Sequence, residues 1–384
     1  MSDKLGTTWK CKAHTAAKHA ILQKYLEAWF PILTRQAARL KRDGNPNDRE
    51  IVFIDGFAGP GEYDAGEPGS PKIAINTAIN HTVNFPFPLR LLFVEKRLDR
   101  FNHLETVIEP LIQRAQSVSN LIVAPPENGD CDEVLNDLLN VSEHKGVAFG
   151  PALAFLDQFG YGAVSMKLVG RIMAKPQCEV FSYLDYKDMN RWITDPNKES
   201  TFNSAFGNTK WKECKELPER KRRERLLELY KEALRSDGNS DFVSSFLMFD
   251  KTNKPLYWLF FCTNNLRGLE EMKKAMWKVD SSGQFQFSDR DCPDQLDLLA
   301  NSFDSSWLAD ELKSRLKGRV LTVFEIKKFV LTETPCYLFK QALKKLELHD
   351  DAVSVVNSPP GRRPGTYADD TLKEVSIRFE NSLF

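Results

Sequence analysis

The sequence predicts a doubly wound α/β protein followed by a smaller, mainly helical domain. Three observations favour this fold class. The chain has 384 residues, which is long for one domain and comfortable for two. Hydrophobic residues make up 42% and charged residues 28%, a balance typical of globular proteins. Short, fully apolar runs alternate with segments of helical spacing, and this pattern indicates a mostly parallel sheet covered on both faces.

The elements can be assigned in chain order. Residues 15–38 carry apolar side chains at three- and four-residue steps, so we expect an amphipathic helix that Pro31 kinks or ends. Helix-forming segments then separate the apolar runs. The predicted strands are Ile51–Asp55, Leu89–Glu95, Asn120–Ala124, Ala152–Phe159, Cys178–Leu184 and Pro255–Thr263.

The alternation is interrupted at 186–250, a segment that contains a strongly charged helical stretch. We interpret it as a helical insertion before the last strand and assign 1–300 to the sheet domain. After residue 300, three helical segments precede two short strands, and the loop between these strands carries Arg362 and Arg363. This order predicts a winged-helix domain over 301–384, with the two arginines as candidate nucleic-acid contacts.

Composition excludes several classes of protein. Lys plus Arg and Asp plus Glu are both 53, so a globally basic nucleic-acid binder is not indicated and any such surface must be local. The seven cysteines never form C-x-x-C, which argues against a disulfide framework or a zinc site and fits a cytoplasmic protein. No apolar run reaches the roughly 18 residues of a membrane helix, and the first ten residues lack a signal-peptide core.

The sequence DGFAGPG follows the first predicted strand, where a doubly wound sheet binds its ligand. Gly59 and Gly61 would let the backbone approach a ligand closely. Asp55 and Phe57 precede these glycines and are further candidates for contact with the ligand. A Walker loop is excluded because no Gly-Lys-Ser/Thr follows. A dinucleotide fingerprint is also excluded, since it needs a glycine where Asp64 stands, and Asp55 would repel a pyrophosphate.

S-adenosylmethionine fits this edge of the sheet better, because it has an ammonium group and no phosphates. Asp55 could pair with the ammonium, and Glu95, which ends the second strand, could bind the ribose. Asp130 and Cys131 follow the third strand at a spacing that suits the adenine. Lys18, on the first helix, could close over the cofactor or contact nucleic acid; a solvated helix face is the alternative.

Asp157, Phe159 and Tyr161 follow the fourth predicted strand. An exocyclic amine is a poor nucleophile because its lone pair is conjugated into the ring. A carboxylate such as Asp157 can accept its hydrogens, and an aromatic face, from Phe159 or Tyr161, can hold the base in line with the methyl group. Asp157 could instead cap the following helix, with Phe159 in the core.

These motifs together resemble the three-Cys-motif partner protein family of bacteria. The chain carries, in order, HTxxKHxxLxxYLxxW from His14, IDGFAGPGEYDAGEPGSP from Ile54, FLDQFGY from Phe155, TNNLRGLEEMKKAMWKVD from Thr263 and RRPGTYAD from Arg362. The resemblance covers nearly the whole chain. It implies a methyltransferase-like Rossmann domain, a C-terminal winged helix and a partner protein that carries three cysteines.

The methyltransferase half is more distantly similar to the ribosomal-RNA adenine-N6 methyltransferases, whose Lys-His pair and Asp-Pro-Pro-aromatic motif correspond to Lys18-His19 and 157–161. Family members usually show Asp-Pro-Phe-Gly, whereas this chain has Gln158 in place of the proline. Three functions therefore compete: a methyltransferase acting on a nucleic-acid base amine, a non-catalytic adaptor, and a DNA-binding regulator.

Overall fold

The computed structural model describes residues 6–42, 50–81, 84–146, 149–280, 286–288, 304–350 and 352–380. The chain divides into two compact units. The first comprises Met1–Ala275 with Gln286–Cys292, and the second comprises Met276–Phe285 with Pro293–Phe384. The predicted domain boundary at residue 300 lies outside the described residues.

The first unit is an α/β structure built on one nine-stranded mixed sheet. The strands are β1 (Ile51–Asp55), β2 (Leu89–Glu95), β3 (Leu121–Val123), β4 (Glu127–Asn128), β5 (Ala152–Leu156), β6 (Cys178–Leu184), β7 (Phe242–Phe249), β8 (Pro255–Thr263) and β9 (Gln286–Ser288). Their order is β3-β2-β1-β5-β6-β8-β7-β9, and β4 also pairs with β2. Only β8 runs antiparallel to its neighbours among the described strands, so the sheet is mostly parallel, as predicted.

Helices separate most of the strands along the chain, which confirms the predicted α/β class. They are α1 (Ala13–Arg42), α2 (Ser70–Ile79), α3 (Leu98–Ala115), α4 (Cys131–Lys145), α5 (Met166–Met173), α6 (Tyr186–Trp192), α7 (Glu199–Phe206), α8 (Glu219–Ser236) and α9 (Leu266–Val279). Every residue of β1 and β5 is buried, because helices cover both faces of a central parallel strand. The arrangement is compatible with a Rossmann-like sheet.

One alternative and one detail of the sequence prediction were wrong. Of a kink or an end at Pro31, the end is excluded, because α1 continues to Arg42. Its apolar face, including Phe30 and Leu33, is buried on both sides of the proline, and this burial offsets the hydrogen bond that proline cannot donate. The segment at 186–250 is helical only in its first part, since it ends in β7, which pairs antiparallel with β8.

The second unit contains three helices and a three-stranded antiparallel sheet. In chain order it has α10 (Ser305–Leu316), β10 (Val320–Thr322), α11 (Val323–Glu333), α12 (Phe339–His349), β11 (Val353–Asn357) and β12 (Ser376–Phe379). The sheet order is β10-β12-β11. The apolar faces of the helices and strands form one buried cluster that includes Leu312, Ile326, Leu343 and Ile377, so this unit has a core of its own.

Candidate functional site

Three carboxylates lie at the carboxyl ends of three adjacent parallel strands. Strand β1 lies between β2 and β5, and Asp55 is in register with Phe93 on one side and Phe155 on the other. Glu95 and Asp157 each stand two residues beyond these partners. The topology therefore gathers Asp55, Glu95 and Asp157 at one edge of the sheet, as the sequence predicted from parallel strands.

The glycine loop after β1 is folded against Glu95. Gly59 and Gly61 adopt φ values of 63° and 84°, a region that side chains disfavour. The Gly59 N–H donates to Glu95 Oε2 at 2.9 Å, and the Arg97 N–H donates to Oε1 at 2.7 Å. Glu95 is buried, so its carboxylate fixes the loop beside the end of β2. Phe57, at the start of the loop, lines a crevice that is bounded by the glycine loop on one side and by Asp157 and Phe159 on the other.

Asp55 is fully buried at the start of the glycine loop. Its Oδ1 accepts the Phe57 N–H at 3.2 Å, whereas its Oδ2 has no hydrogen bond of good geometry among the described residues, although the Ser70 side chain lies close to the carboxylate. Burial outweighs the stabilising effects of the Ser70 side chain and the Phe57 N–H and raises the pKa of Asp55 to about 7. An orphaned carboxylate oxygen in this position is suited to receive a ligand that donates hydrogen bonds.

Lys18 reaches the site from α1 and pairs with Asp157. Its ammonium group also lies 5.7 Å from the centre of the Tyr183 ring and 6.0 Å from that of Tyr257. This cation is therefore buried against two aromatic rings. His19 is buried next to it, and burial together with the Lys18 charge lowers the pKa of His19 to about 3. Lys18, which the sequence placed near the cofactor, thus contacts the predicted catalytic acid, whereas His19 packs against Tyr63.

Asp130 and Cys131 support the site without lining its crevice. Asp130 caps α4 by accepting the Asp132 N–H at 3.0 Å, and it pairs with Lys96 at 2.9 Å. Although partial burial opposes it, the Lys96 ammonium holds the pKa of Asp130 below its usual value. Cys131 is buried behind the glycine loop, where its Sγ would lie 2.5 Å from a Cβ at Gly56.

The loop after β5 separates the two predicted aromatic residues. Phe159 is 53% exposed and lines the crevice. Tyr161 is buried and packs on Phe202 with a ring-centre distance of 4.6 Å. Between them, Gly160 adopts a φ of 91°. We therefore correct the predicted role of Tyr161, because its ring belongs to the hydrophobic core of the first unit.

Gln158 organises this loop through its side-chain amide. Its Nε2 donates to the Tyr183 carbonyl at 3.0 Å, and its Oε1 accepts the N–H groups of Ala163 and Val164 at 2.8 and 3.1 Å. The side chain is 2% exposed. The glutamine thus satisfies three backbone groups and fixes the path that exposes Phe159.

Two residues that sequence reasoning missed contribute to the crevice. Trp9 lines it, and its ring contacts both the Arg100 guanidinium and the Phe159 ring. The space that remains has a volume of about 30 Å³, room for about one water molecule. Arg100 carried a signal in the sequence, because it occupies the apolar face of α3 with Leu104 and Ile108. Trp9 precedes the first helix and follows no periodic pattern.

A larger cavity of about 130 Å³ lies near the first residues of β6. Its lining includes Glu179, which accepts hydrogen bonds from the Tyr25 hydroxyl at 2.6 Å and the Thr263 hydroxyl at 2.7 Å. Glu179 thereby ties α1 to the sheet. Because Glu179 is the second residue of β6, the cavity lies away from the carboxyl ends of the parallel strands, and we assign no reaction to it.

The two arginines that the sequence predicted to contact nucleic acid differ in their surroundings. Arg362 donates to both carboxylate oxygens of Glu347, at 2.8 and 2.6 Å, and only 9% of its side chain is exposed. Its guanidinium also lies 4.8 Å from the centre of the Tyr367 ring. Arg363 is exposed. We therefore correct the predicted role of Arg362, whose charge is neutralised within the unit, and keep Arg363 as the candidate contact.

The comparisons with known proteins leave the site to be interpreted from its geometry. No protein-family model matches the chain, and a search of curated proteins finds no significant match. Within the described residues, no group of His, Cys, Asp and Glu side chains could hold a metal ion. None of the helices in the described ranges is both long and apolar enough to cross a membrane.

Proposed function

We propose that this protein is an S-adenosylmethionine-dependent methyltransferase that acts on an exocyclic amine of a nucleic-acid base. The observation that carries the proposal is the position of Asp55, Glu95 and Asp157 at the ends of three neighbouring parallel strands, around a glycine loop. Ligands of open α/β sheets bind at this edge. The carboxylates disfavour phosphate ligands and favour a ligand with amino and hydroxyl groups.

The buried groups fit such a cofactor. The orphaned Oδ2 of Asp55 can accept a hydrogen bond from its ammonium group, and Glu95 retains lone pairs for ribose hydroxyls beyond the two N–H groups it binds. Because the pKa of Asp55 is raised to about 7, this pairing is strongest when the pH exceeds 7 and the carboxylate is ionised. S-adenosylmethionine, when bound, would supply the methyl group.

The residues after β5 would handle the acceptor base. Asp157 can accept a hydrogen of the amine and orient its nitrogen, and Phe159 offers an exposed ring for stacking. Asp157 already forms an ion pair with Lys18, so the amine would either share the carboxylate with Lys18 or displace the lysine. The methyl transfer would then be accelerated because these residues hold the amine in line with the methyl group.

The second unit would deliver the substrate. Its element order α10-β10-α11-α12-β11-β12 is that of a winged helix, which supports the assignment made from the sequence. Lys344, Lys345 and Arg363 are exposed on α12 and on the loop between β11 and β12. We propose that they contact nucleic acid, and that a protein with a three-Cys motif binds this chain, as the family resemblance implies.

A non-catalytic adaptor is the second candidate. It is favoured by the small crevice, since about 30 Å³ cannot hold a nucleoside while Trp9 lies beside the glycine loop. In that case the fold would serve as a scaffold for the partner and for the second unit.

Transfer of labelled methyl groups separates these functions. The purified chain, with and without its partner, would be incubated with S-adenosylmethionine carrying a tritiated methyl group and with total RNA, DNA and protein. We expect label in nucleic acid, a loss of at least about a hundredfold in Asp157→Asn, and no loss in the exposed control Asp241→Asn. Binding of the cofactor without label in any acceptor would favour the adaptor, and full transfer by folded Asp157→Asn would exclude the proposed role of Asp157.

A further inference from the structure

The indole of Trp9 occupies a slot whose walls are one cation and two aromatic rings. The Arg100 guanidinium carbon lies 4.5 Å from the centre of the Trp9 ring and 5.1 Å from that of Phe159. The rings of Trp9 and Phe159 are 5.8 Å apart at an interplanar angle of 72°. Tyr63 contacts the indole edge-on at 5.6 Å. The slot therefore surrounds one flat heterocycle with groups that favour such a ring.

Arg100 is the group in this slot that the fold alone does not explain. It is 3% exposed, forms no ion pair within the described residues, and its Nε has no hydrogen-bond partner there. Burial and the charge of Arg97 lower its pKa, so keeping this side chain charged in the folded protein costs free energy. A hydrophobic residue would complete the apolar face of α3 without this cost. A buried guanidinium with an unpartnered Nε points to a ligand that offers a flat face and a hydrogen-bond acceptor.

Trp9 is held in the slot by few polar contacts. The Asp64 N–H donates to the Trp9 carbonyl at 3.1 Å, and the Thr7 hydroxyl donates to Asp99 at 3.0 Å. The segment 6–12 precedes α1, and Gly6, Lys10 and Lys12 are exposed. The indole can therefore leave the slot without disturbing the sheet or a helix.

The slot lies directly over the glycine loop. A Cβ at Gly59 would be 3.6 Å from Trp9 Cη2, and the Gly59 N–H is the group bound to Glu95. The heterocycle in the slot thus lies next to the acid at the end of β2. The adjacency favours the base of a bound nucleoside over a base presented from elsewhere in a nucleic acid.

We propose that the slot occupied by the Trp9 indole, beside Arg100 and Phe159, binds the adenine base of a nucleoside ligand, and that Trp9 is the intramolecular competitor for this position. The identity of the nucleoside rests on the proposed function, in which the same edge of the sheet holds S-adenosylmethionine. Displacement of Trp9 opens the space that the crevice lacks.

Calorimetric titration of the full chain with S-adenosylhomocysteine, adenosine and methionine tests the slot. Trp9→Ala should tighten binding of the two nucleosides about tenfold and leave methionine binding unchanged, because methionine has no base. Trp9→Phe, which retains a ring, serves as the matched control and should bind like the wild type. In Trp9→Ala chains, the additional change Arg100→Met should remove the gain.

Hydrogen exchange of the wild-type chain gives a second readout that needs no variant. Ligand should increase exchange of the Asp64 amide, whose acceptor is the Trp9 carbonyl. Unchanged Asp64 exchange, together with equal nucleoside affinity of the wild type and Trp9→Ala, would overturn the slot. If the wild type and Trp9→Ala nevertheless bind S-adenosylhomocysteine with equal and measurable affinity, the cofactor proposal is still supported. Conversely, tighter adenosine binding by Trp9→Ala without any S-adenosylhomocysteine binding would support the slot and reject the cofactor.

Discussion

At the scale of single residues, Asp55 is a buried acid whose pKa is strongly shifted. It is fully buried, and its pKa is raised to about 7, above the usual value of about 4. The folded chain therefore retains a proton that the unfolded chain releases above pH 4. Its contribution to the free energy of unfolding is greatest below pH 4 and is lost as the pH rises through 7.

Asp55→Asn should therefore change how stability depends on pH. Because asparagine does not titrate, the unfolding free energy of the variant relative to the wild type should rise between pH 4 and pH 8, by about 4 kcal/mol at most. His19, whose lowered pKa acts in the opposite direction, is present in both proteins and cancels in the difference. Urea unfolding at several pH values measures this, and a pH-independent difference would contradict the assignment.

At the scale of structural elements, the loop after β5 depends on one side chain. Gln158 supplies three hydrogen bonds to backbone groups of β6 and of the loop itself. We expect Gln158→Ala to lower the unfolding free energy by about 3 kcal/mol and to expose the loop to proteases, because each lost bond contributes about 1 kcal/mol. Phe159→Ala, a change at an exposed position in the same loop, should cost much less. Equal losses in the two variants would show that Gln158 does not organise the loop.

The loop between β11 and β12 allows a paired comparison of neighbouring arginines. Arg362→Met would leave the buried Glu347 carboxylate without its main partner, and we expect the second unit to lose about 3 kcal/mol of stability. Arg363→Met should leave stability unchanged and weaken nucleic-acid binding, with a shallower salt dependence. Thermal unfolding and fluorescence anisotropy measure the two effects. Equal effects of the two substitutions on binding would refute the distinction between them.

Elements with a regular hydrophobic pattern could be predicted from the sequence. Which of two neighbouring side chains faces the site could not. Runs such as Ile51–Asp55 are wholly apolar because central parallel strands are buried on both faces. Strand β7 alternates buried and partly exposed residues and has two serines, so it was included in the helical insertion. The three carboxylates followed from topology, but only coordinates show that Phe159 faces the crevice while Tyr161 faces the core.

At the scale of the whole molecule, the chain comprises an α/β unit with one acidic, glycine-lined edge and a second unit with its own core. Contacts that depend on distant parts of the chain determine what this edge can bind. Trp9 and Lys18 come from the first residues of the chain, yet one fills the crevice and the other pairs with Asp157. No local pattern encodes such contacts, and they decide whether a nucleoside can enter.

Equilibrium dialysis of the full chain against labelled S-adenosylmethionine at pH 8 shows whether the acidic edge of the sheet binds the cofactor. We expect saturable binding of about one molecule per chain, weakened at least about tenfold in Asp55→Asn, because the variant loses a charged acceptor for the ammonium group. The absence of saturable binding to folded wild-type and Trp9→Ala chains at millimolar ligand would contradict the proposal.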